Sequence, residues 1–150
     1  MIRKMTPEDI ETVVQLEEEV FGHSLGYDMI YNEITNHGFA HYFVDEEHDE
    51  IIGYVGLWIN DNIGQIVNFL VKPTHQNKGL GKKWITFIMD YFKQNNVDIV
   101  SLEVRETNER AIHLYESYGF KKSYKRLKYY DNKEDAHVLI WRNNDADISR

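Results

Sequence analysis

The most informative segment of the sequence, residues 71–83, reads Val71-Lys72-Pro73-Thr74-His75-Gln76-Asn77-Lys78-Gly79-Leu80-Gly81-Lys82-Lys83. Before it lies an apolar run that Pro73 ends, as is typical of a β-strand. After it, apolar residues recur at helical spacing up to Gln94. The stretch is therefore predicted to be a glycine-marked turn from a strand into an amphipathic helix. The first free amides of such a helix point outward, where the helix dipole favours an anion.

Two familiar phosphate-binding patterns do not fit this turn. The nucleotide P-loop needs a glycine where Gln76 stands and a serine or threonine where Lys83 stands. The dinucleotide-binding fingerprint needs a third glycine, and Trp84 occupies that position. The residues alone leave two interpretations open. The turn is either an anion-binding site, or only a helix start made flexible by glycines and surrounded by solvated lysines.

Outward from the turn, apolar spacing predicts the element order β-α-α-β-β-β-α-β-α-β-β. Thr6 and Pro7 open the first helix, and an acidic turn from Asp45 to Glu50 separates two strands. The order indicates an α+β fold with a mixed sheet. The predicted strands are Ile2–Met5, Phe39–Val44, Ile51–Asn60, Ile63–Lys72, Asp98–Arg105, Phe120–Tyr130 and Ala136–Trp141, and the later helices are Tyr27–Asn36, Gly79–Gln94 and Asn108–Tyr118.

Composition narrows the class of protein. The 150 residues are 42% hydrophobic, which suits one domain over 1–150 with its own core. The formal net charge of -8 argues against non-specific binding of nucleic acid or membranes. No cysteine is present, which excludes disulfides and thiol nucleophiles. The start of the sequence lacks the apolar core of a signal peptide, and the histidines form no metal-binding pattern, so we expect a cytoplasmic protein without a metal site.

A second informative segment runs from Leu102 to Phe120. Glu103 lies within a predicted strand, where glutamate is depleted, so it either pairs with Arg105 or a neighbour or does chemistry in a cleft. Tyr115 shares an apolar helix face with Ile112, where a tyrosine is usually a core residue. Neither residue is assigned a role by its position alone.

Taken together, the two segments resemble the GCN5-related N-acetyltransferase (GNAT) family. Gln76-x-x-Gly79-x-Gly81 after a strand is similar to the family's pyrophosphate loop. The run L-E-V-R-x-T-N-x-x-A-I-x-L-Y-E-x-x-G-F at 102–120 is similar to one subgroup, the ribosomal-protein alanine N-acetyltransferases. So are Arg126-x-x-Tyr-Tyr and Glu134-Asp-Ala further along. The loop at Ser24–Gly26 departs from the Pro-Trp-Ser common in that subgroup, which bears on the choice of acceptor.

The resemblance implies a fold and a set of site residues. It implies four helices flanking a mixed, mostly antiparallel sheet of six to seven strands, with a V-shaped splay between the fourth and fifth strands. Glu103 would be the general base and Tyr115 the general acid. Coenzyme A would be held by the strand residues Phe69, Leu70 and Val71, by the loop and helix residues Gln76, Asn77, Lys78, Gly79, Leu80, Gly81 and Lys82, and by Asn108.

The implied activity is transfer of an acetyl group from acetyl-CoA to a primary amine within a ternary complex. The preferred acceptor would be the N-terminal alanine of a protein, with a small-subunit ribosomal protein as a candidate. A backbone amide near Val71 would stabilise the oxyanion. Two alternatives stay open: an acceptor that is a small amine or a lysine side chain, and a non-catalytic sensor that binds acyl-CoA.

Overall fold

The computed structural model describes the backbone of residues 1–76, 79–130 and 134–143, and their side chains except at 128–130. It contains the four predicted helices and seven predicted strands. The helices are α1 (Ile10–Phe21), α2 (Tyr27–Asn36), α3 (Leu80–Gln94) and α4 (Glu109–Ser117). The strands are β1 (Ile2–Lys4), β2 (Ala40–Glu47), β3 (Glu50–Asn60), β4 (Ile63–Val71), β5 (Ile99–Arg105), β6 (Lys121–Tyr130) and β7 (Glu134–Arg142).

The strands form one mixed sheet in the order β1-β2-β3-β4-β5-β7-β6. β4 and β5 are parallel, with pairs from Ile63↔Ile99 to Ile66↔Leu102, whereas β5–β7, β6–β7, β1–β2 and β2–β3 are antiparallel. A parallel pair needs a crossover, and α3 lies in the connection between β4 and β5. The mixed α+β class predicted from the sequence is confirmed.

The chain separates into two compact units. Unit 1 comprises Met1–Ile59 and Val67–Leu80, and unit 2 comprises Asn60–Ile66 and Gly81–Arg150. The strand β4 contributes its first residues to unit 2 and its last residues to unit 1. The single domain inferred for residues 1–150 stays a prediction.

The core of unit 1 gathers apolar side chains from α1, α2 and the adjoining strands. It also buries the carboxylates of Asp9, Glu17, Glu33 and Asp45. Its apolar members are Met5, Ile10, Val13, Leu16, Ile30, Tyr42, Val44, Ile51, Tyr54 and Leu70. Phe21 is 39% exposed because it ends α1 beside Gly22.

Two of the buried carboxylates of unit 1 belong to Glu17 on α1 and Glu33 on α2. The Tyr54 hydroxyl donates to Glu17 at 2.7 Å, and the Tyr42 hydroxyl donates to Glu33 at 3.0 Å. Trp58 Nε1 also donates to Glu33, at 2.8 Å. Burial, together with the adjacent carboxylates, raises the pKa of both tyrosines far above the usual range. Hydrogen bonding to these donors is what allows the carboxylates to be buried.

One boundary predicted from the sequence is wrong. The acidic run from Asp45 to Glu50 was expected to be a turn, but β2 continues through Glu47 and only His48 and Asp49 form the hairpin turn, both at positive φ. Asp45 pairs with Gly53 in the ladder and is fully buried, with the N-terminal ammonium 2.9 Å away. The ion pair with that ammonium makes an aspartate tolerable in a buried strand position.

Unit 2 packs α3 and α4 with β5 and β7. The alternation along β5 buries Val100, Leu102 and Val104 and leaves the intervening residues partly exposed. The buried residues of α3 are Trp84, Ile85, Ile88, Met89 and Phe92. Gly64 at the start of β4 is required by packing, because a Cβ there would lie 2.5 Å from Phe92 Cε1. Among the described residues, no helix is long and apolar enough to span a membrane.

Candidate active site

The turn before α3 depends on two glycines for different reasons. Gly79 has a φ of +78°, in the left-handed region that favours glycine, and the space where its Cβ would stand is open. At Gly81, a Cβ would lie 3.1 Å from Leu114 Cδ2 of α4. A glycine in such a turn can give a ligand close access to the backbone. Gly79 fits that role, while Gly81 serves the packing of α3 against α4.

The strand end before the turn is fixed by hydrogen bonds. Lys72 N donates to Ile52 O at 2.7 Å, and the Gln76 side chain donates back to Val71 O at 2.9 Å. Leu70 is buried, so only its backbone is available to a ligand, while Phe69 and Val71 are half-buried. Gln76 and Lys82 are exposed. Asn77 and Lys78 lie outside the described residues.

Glu103 lies on the less buried face of β5. Its side chain is 19% exposed, and its Oε1 lies 3.2 Å from Arg126 Nε of β6. The cross-strand register places Glu103 opposite Val138 and Arg126 opposite Ala136. An ion pair with Arg105 or a neighbour was one of the two interpretations open from the sequence, and the cation that pairs with Glu103 is Arg126.

The segment from β5 to α4 is bound to β7 by the Glu134 carboxylate and by a backbone hydrogen bond from Glu106 N to Asp135 O at 3.1 Å. Glu134 Oε2 accepts from Arg105 Nη1 at 3.0 Å, while its Oε1 accepts from the Thr107 hydroxyl and from Thr107 N. The Thr107 hydroxyl, followed by Arg105, holds the pKa of Glu134 below its usual range. Glu134 therefore helps to fix the chain that leads from Glu103 to Asn108.

Asn108 caps α4. Its Oδ1 accepts from Ala111 N at 3.2 Å, and the residue is exposed. The cap uses one of the two lone pairs of the amide oxygen, and the Nδ2 group of the same side chain is a donor suited to a ligand oxygen. The predicted coenzyme contact is therefore compatible with a structural role at the helix start.

Tyr115 is buried on the inner face of α4. It is 6% exposed, and its ring packs edge-on against Phe120 with centroids 5.6 Å apart. Its carbonyl accepts from Tyr118 N and Phe120 N, which closes the helix. These contacts fix the ring and limit the direction in which its hydroxyl can act.

The predicted site residues fall in both compact units. Phe69, Leu70, Val71, Gln76, Gly79 and Leu80 belong to unit 1, whereas Gly81, Lys82, Glu103, Asn108 and Tyr115 belong to unit 2. Within unit 2, the short segment held by Glu134 links the Glu103 strand to the Tyr115 helix. Among the residues outside the gaps at 77–78, 131–133 and 144–150, no group of three His, Asp or Glu side chains is arranged to hold a metal ion.

Sequence reasoning gave no role to Arg126 or Glu134. Both stand in motifs that resemble the subgroup, Arg126-x-x-Tyr-Tyr and Glu134-Asp-Ala, and that was the available signal. Their contacts depend on the register of β6 and β7, which residue spacing does not fix.

Comparisons with known proteins agree with this architecture. The family model described as "Acetyltransferase (GNAT) family" matches residues 8–120. A Bacillus subtilis (strain 168) protein, "Putative ribosomal protein bS18-alanine N-acetyltransferase", is 34% identical over 93% of this chain and 93% of its own length.

Two solved structures share the fold. The ribosomal-protein-S18-alanine N-acetyltransferase of Escherichia coli superposes with a TM-score of 0.86 at 23% identity, covering 95% of this chain and 92% of that one. A spermidine N-acetyltransferase chimera from Vibrio cholerae and hSSAT has a TM-score of 0.83 at 22% identity, covering 100% and 99%. Since one fold accommodates a protein acceptor and a polyamine, fold alone does not identify the acceptor.

Proposed function

The chain belongs to the GNAT family of acetyltransferases, and from that premise we propose that it acetylates the α-amino group of a protein N-terminus whose first residue is alanine. The B. subtilis relative, similar over nearly its whole length, is named for that acceptor on ribosomal protein bS18. A small-subunit ribosomal protein is accordingly the proposed acceptor, and the cytoplasm the proposed location.

The acetyl donor of this family is acetyl-CoA, which supplies a reactive thioester. The turn at Gln76–Lys82 suits its diphosphate: Gly79 adopts positive φ beside open space, and α3, fifteen residues long, begins at Leu80. We assign Gln76, Gly79, Leu80, Gly81 and Lys82 to this contact, together with Asn77 and Lys78. The backbone of Phe69–Val71 would hold the pantetheine arm, and Asn108 Nδ2 would donate to the coenzyme.

Glu103 is proposed as the base that takes a proton from the incoming amine. An α-amino group has an ordinary pKa of about 7.7–8.0, against about 10.4 for a lysine side chain, so less free energy is needed to neutralise it near pH 7. The partly buried position of Glu103 on β5 is the observation that carries this assignment. Arg126 would orient the carboxylate and share it with the amine as the amine arrives.

Tyr115 is proposed as the acid that protonates the departing sulfur. Its ring is fixed by Phe120 and by the closed end of α4, which would pre-orient the hydroxyl. The Val71 amide would donate to the carbonyl oxygen as that oxygen gains charge. Starting from the neutral amine, one N–C bond forms and one C–S bond breaks. Glu103 gains the proton that nitrogen loses, Tyr115 gives a proton to sulfur, and transfer of a proton from Glu103 to Tyr115 through solvent restores both groups.

A three-acceptor assay tests the proposal. The protein is incubated with acetyl-CoA and an alanine-led peptide, an N-terminally blocked lysine peptide, or spermidine, and products are identified by mass spectrometry. The expected result is acetylation at the alanine N-terminus with much the highest kcat/KM. Preference for spermidine or for the lysine side chain would overturn the proposed acceptor, and binding of acetyl-CoA without turnover on any amine would identify a sensor.

A further inference from the structure

One edge of the sheet in unit 2 carries a groove lined by basic side chains. The strand β6 is the last of the sheet, and its residues 121–127 are exposed. The groove lies where β6 begins and β7 ends, has a volume of about 380 Å³, and is lined in part by Lys121, Lys122, Trp141 and Arg142. All four residues belong to unit 2. We call this feature the β6 basic groove.

The three cations of the β6 basic groove are not neutralised by the part of the chain that the structure describes. Further along β6, Lys125 pairs with Glu106 and Arg126 pairs with Glu103, both at 3.2 Å. The groove cations form no such ion pair with any described residue, and no described carboxylate lines the groove. The groove therefore has a local excess of positive charge that is accessible to an anion.

The two compact units differ strongly in charge. Unit 1 contains 13 aspartates and glutamates and 4 lysines and arginines, whereas unit 2 contains 12 and 13. The net charge of -8 therefore comes from unit 1. It argues against non-specific binding of a polyanion to the whole surface, but it is compatible with selective binding at a basic groove of unit 2.

The cross-strand register adds an aromatic ring to the cations of the groove. Lys121 pairs with Ile140 and Tyr124 with Val138, while Arg142 is two residues beyond Ile140 on β7. Because paired residues share one face of a sheet, Arg142, Lys121 and Tyr124 form a row with steps of about 7 Å. Tyr124 is 54% exposed. The row thus presents two cations followed by an exposed ring.

Cations in line with an exposed ring suit a single-stranded nucleic acid. Lysine and arginine bind its phosphates, and its unpaired bases stack on aromatic side chains. An acidic segment of a protein would use the cations but would give Tyr124 no planar partner. A second copy of the chain that paired with β6 edge to edge would bring the lysines of two strands together, which is unfavourable.

We propose that the β6 basic groove, together with Tyr124, binds a short single-stranded segment of nucleic acid. Lys121, Lys122 and Arg142 would each contact a phosphate, and one base would stack on Tyr124. The groove cations lie at the Ile99 end of β5, because Arg142 pairs with Ile99. That end is four residues, about 14 Å, from Glu103, and the inference does not depend on the proposed acetyl transfer.

Binding is measured by fluorescence anisotropy with a labelled oligouridine of eight nucleotides. It is compared with an abasic oligomer that has the same phosphates and with an oligoglutamate of the same charge. Saturating coenzyme A is present, so that the turn at 76–82 is not available to these probes. The wild type is expected to bind the oligouridine about tenfold more tightly than the abasic oligomer. Three phosphate contacts predict a slope of about -2 for the logarithm of affinity against that of salt concentration.

Two variants separate the ring from the cations. Tyr124→Ala should lower the affinity for oligouridine about tenfold and leave binding of the abasic oligomer unchanged, whereas Tyr124→Phe should retain the wild-type affinity. The double variant Lys121→Gln, Arg142→Gln should weaken binding of both oligomers and reduce the salt slope to about -0.7. Its control is Lys93→Gln, Arg110→Gln, which removes the same charge at exposed positions of α3 and α4. Circular dichroism checks that each variant is folded.

Several results would overturn the inference. Equal affinity for the abasic oligomer or for oligoglutamate would identify a general polyanion site or an acidic peptide site. Equal losses in the two double variants would show attraction without a defined site. Self-association that sedimentation detects in the wild type, and that the substitutions at Lys121 and Arg142 abolish, would identify a second copy of the chain as the occupant.

Turnover shows which proposal fails. The double variant at Lys121 and Arg142 should acetylate a short alanine-led peptide at the wild-type rate. Normal turnover by a wild type that does not bind oligouridine would remove only the inference. Binding of oligouridine that depends on Tyr124, without acetylation of any amine, would support the inference and remove only the proposed function.

Discussion

The Glu103 side chain is partly exposed to solvent, and an ion pair restrains its orientation. Its side chain is one-fifth exposed, and Arg126 holds one carboxylate oxygen at 3.2 Å. A surface ion pair of this kind contributes little to stability. The role of this ion pair is to orient the Glu103 carboxylate, because a general base must lie within hydrogen-bond reach of the proton that it removes.

Replacing Glu103 with glutamine should remove the base while conserving the size of the side chain. We expect kcat to fall about 10²- to 10⁴-fold, the usual contribution of a general base, with the Kd for acetyl-CoA unchanged. Steady-state kinetics and calorimetry measure the two quantities. Glu116→Gln, an exposed position on α4, is the matched control. A Glu103→Gln enzyme with full kcat would show that the base is another group or water.

Glu134 acts through the residues that it positions. Glu134→Ala removes the contacts with Arg105 and Thr107, so the segment that joins β5 to α4 should loosen and kcat/KM should fall by up to about 10²-fold. Glu134→Gln keeps an oxygen acceptor and should recover part of the rate, which a role in bulk stability would not predict. Equal rates in both variants would contradict the positioning role.

The lowered pKa of Glu134 also determines the direction in which its contribution to stability changes with pH. The carboxylate is favoured in the folded state, so its stabilising contribution is present above its ordinary pKa and is lost as pH falls through the lower folded value. Wild type and Glu134→Ala should therefore converge in unfolding midpoint under acid conditions. A gap in midpoint that stays constant from neutral to acid pH would be inconsistent with this assignment.

At the scale of elements, the motif at the turn into α3 predicts the start of the helix correctly, although its two glycines are needed for different reasons. Gln76-x-x-Gly79-x-Gly81 predicted a glycine-dependent helix start. Only the three-dimensional arrangement separates Gly79, which needs its positive φ, from Gly81, which makes room for Leu114. The second reason involves a residue more than thirty positions away, which spacing within the motif cannot reveal.

Gly79→Ala should weaken both the turn and the coenzyme contact. A left-handed conformation costs a residue with a Cβ about 1–2 kcal/mol, and asparagine less than alanine. Urea unfolding should show that loss, and calorimetry should show weaker binding of acetyl-CoA. Gly22→Ala is the control, because Gly22 has a φ of +80° and open space at the end of α1. It should lose similar stability and keep its affinity for acetyl-CoA; equal losses of affinity would contradict the assignment of the turn.

For the whole molecule, helices and strands with a regular spacing of apolar residues could be predicted from the sequence, whereas the contacts between neighbouring elements could not. The second helix was predicted at Tyr27–Asn36 and is found there, because its apolar residues and the glycine before it mark both ends. The acidic spacing at 45–50 predicts a turn, whereas in the structure an ion pair with a group distant in sequence makes burial of Asp45 in a strand possible. The Glu103–Arg126 pair likewise depends on two strands brought together by β7.

Ligand-dependent stability tests the coenzyme proposal on the intact chain. Acetyl-CoA at one hundred times its Kd should stabilise the folded state by about 2.7 kcal/mol. For a chain of this size, the melting temperature should then rise by about 5–10 °C. Differential scanning calorimetry measures the rise, and pantetheine, which lacks the diphosphate, should give a much smaller one. No rise with acetyl-CoA would exclude the proposed binding turn.

The paired tyrosines and carboxylates in the core of unit 1 have a consequence for alkaline solutions. Tyr42 and Tyr54 resist ionisation in the folded chain, whereas in the unfolded chain a phenol ionises near pH 10. Their contribution to stability is complete below that pH and declines above it. The ultraviolet absorbance of phenolate should therefore include a late, slow phase whose rate equals that of global unfolding. Tyr54→Phe should reduce the amplitude of this phase. The change in absorbance after an alkaline pH jump would therefore report the rate at which this core opens.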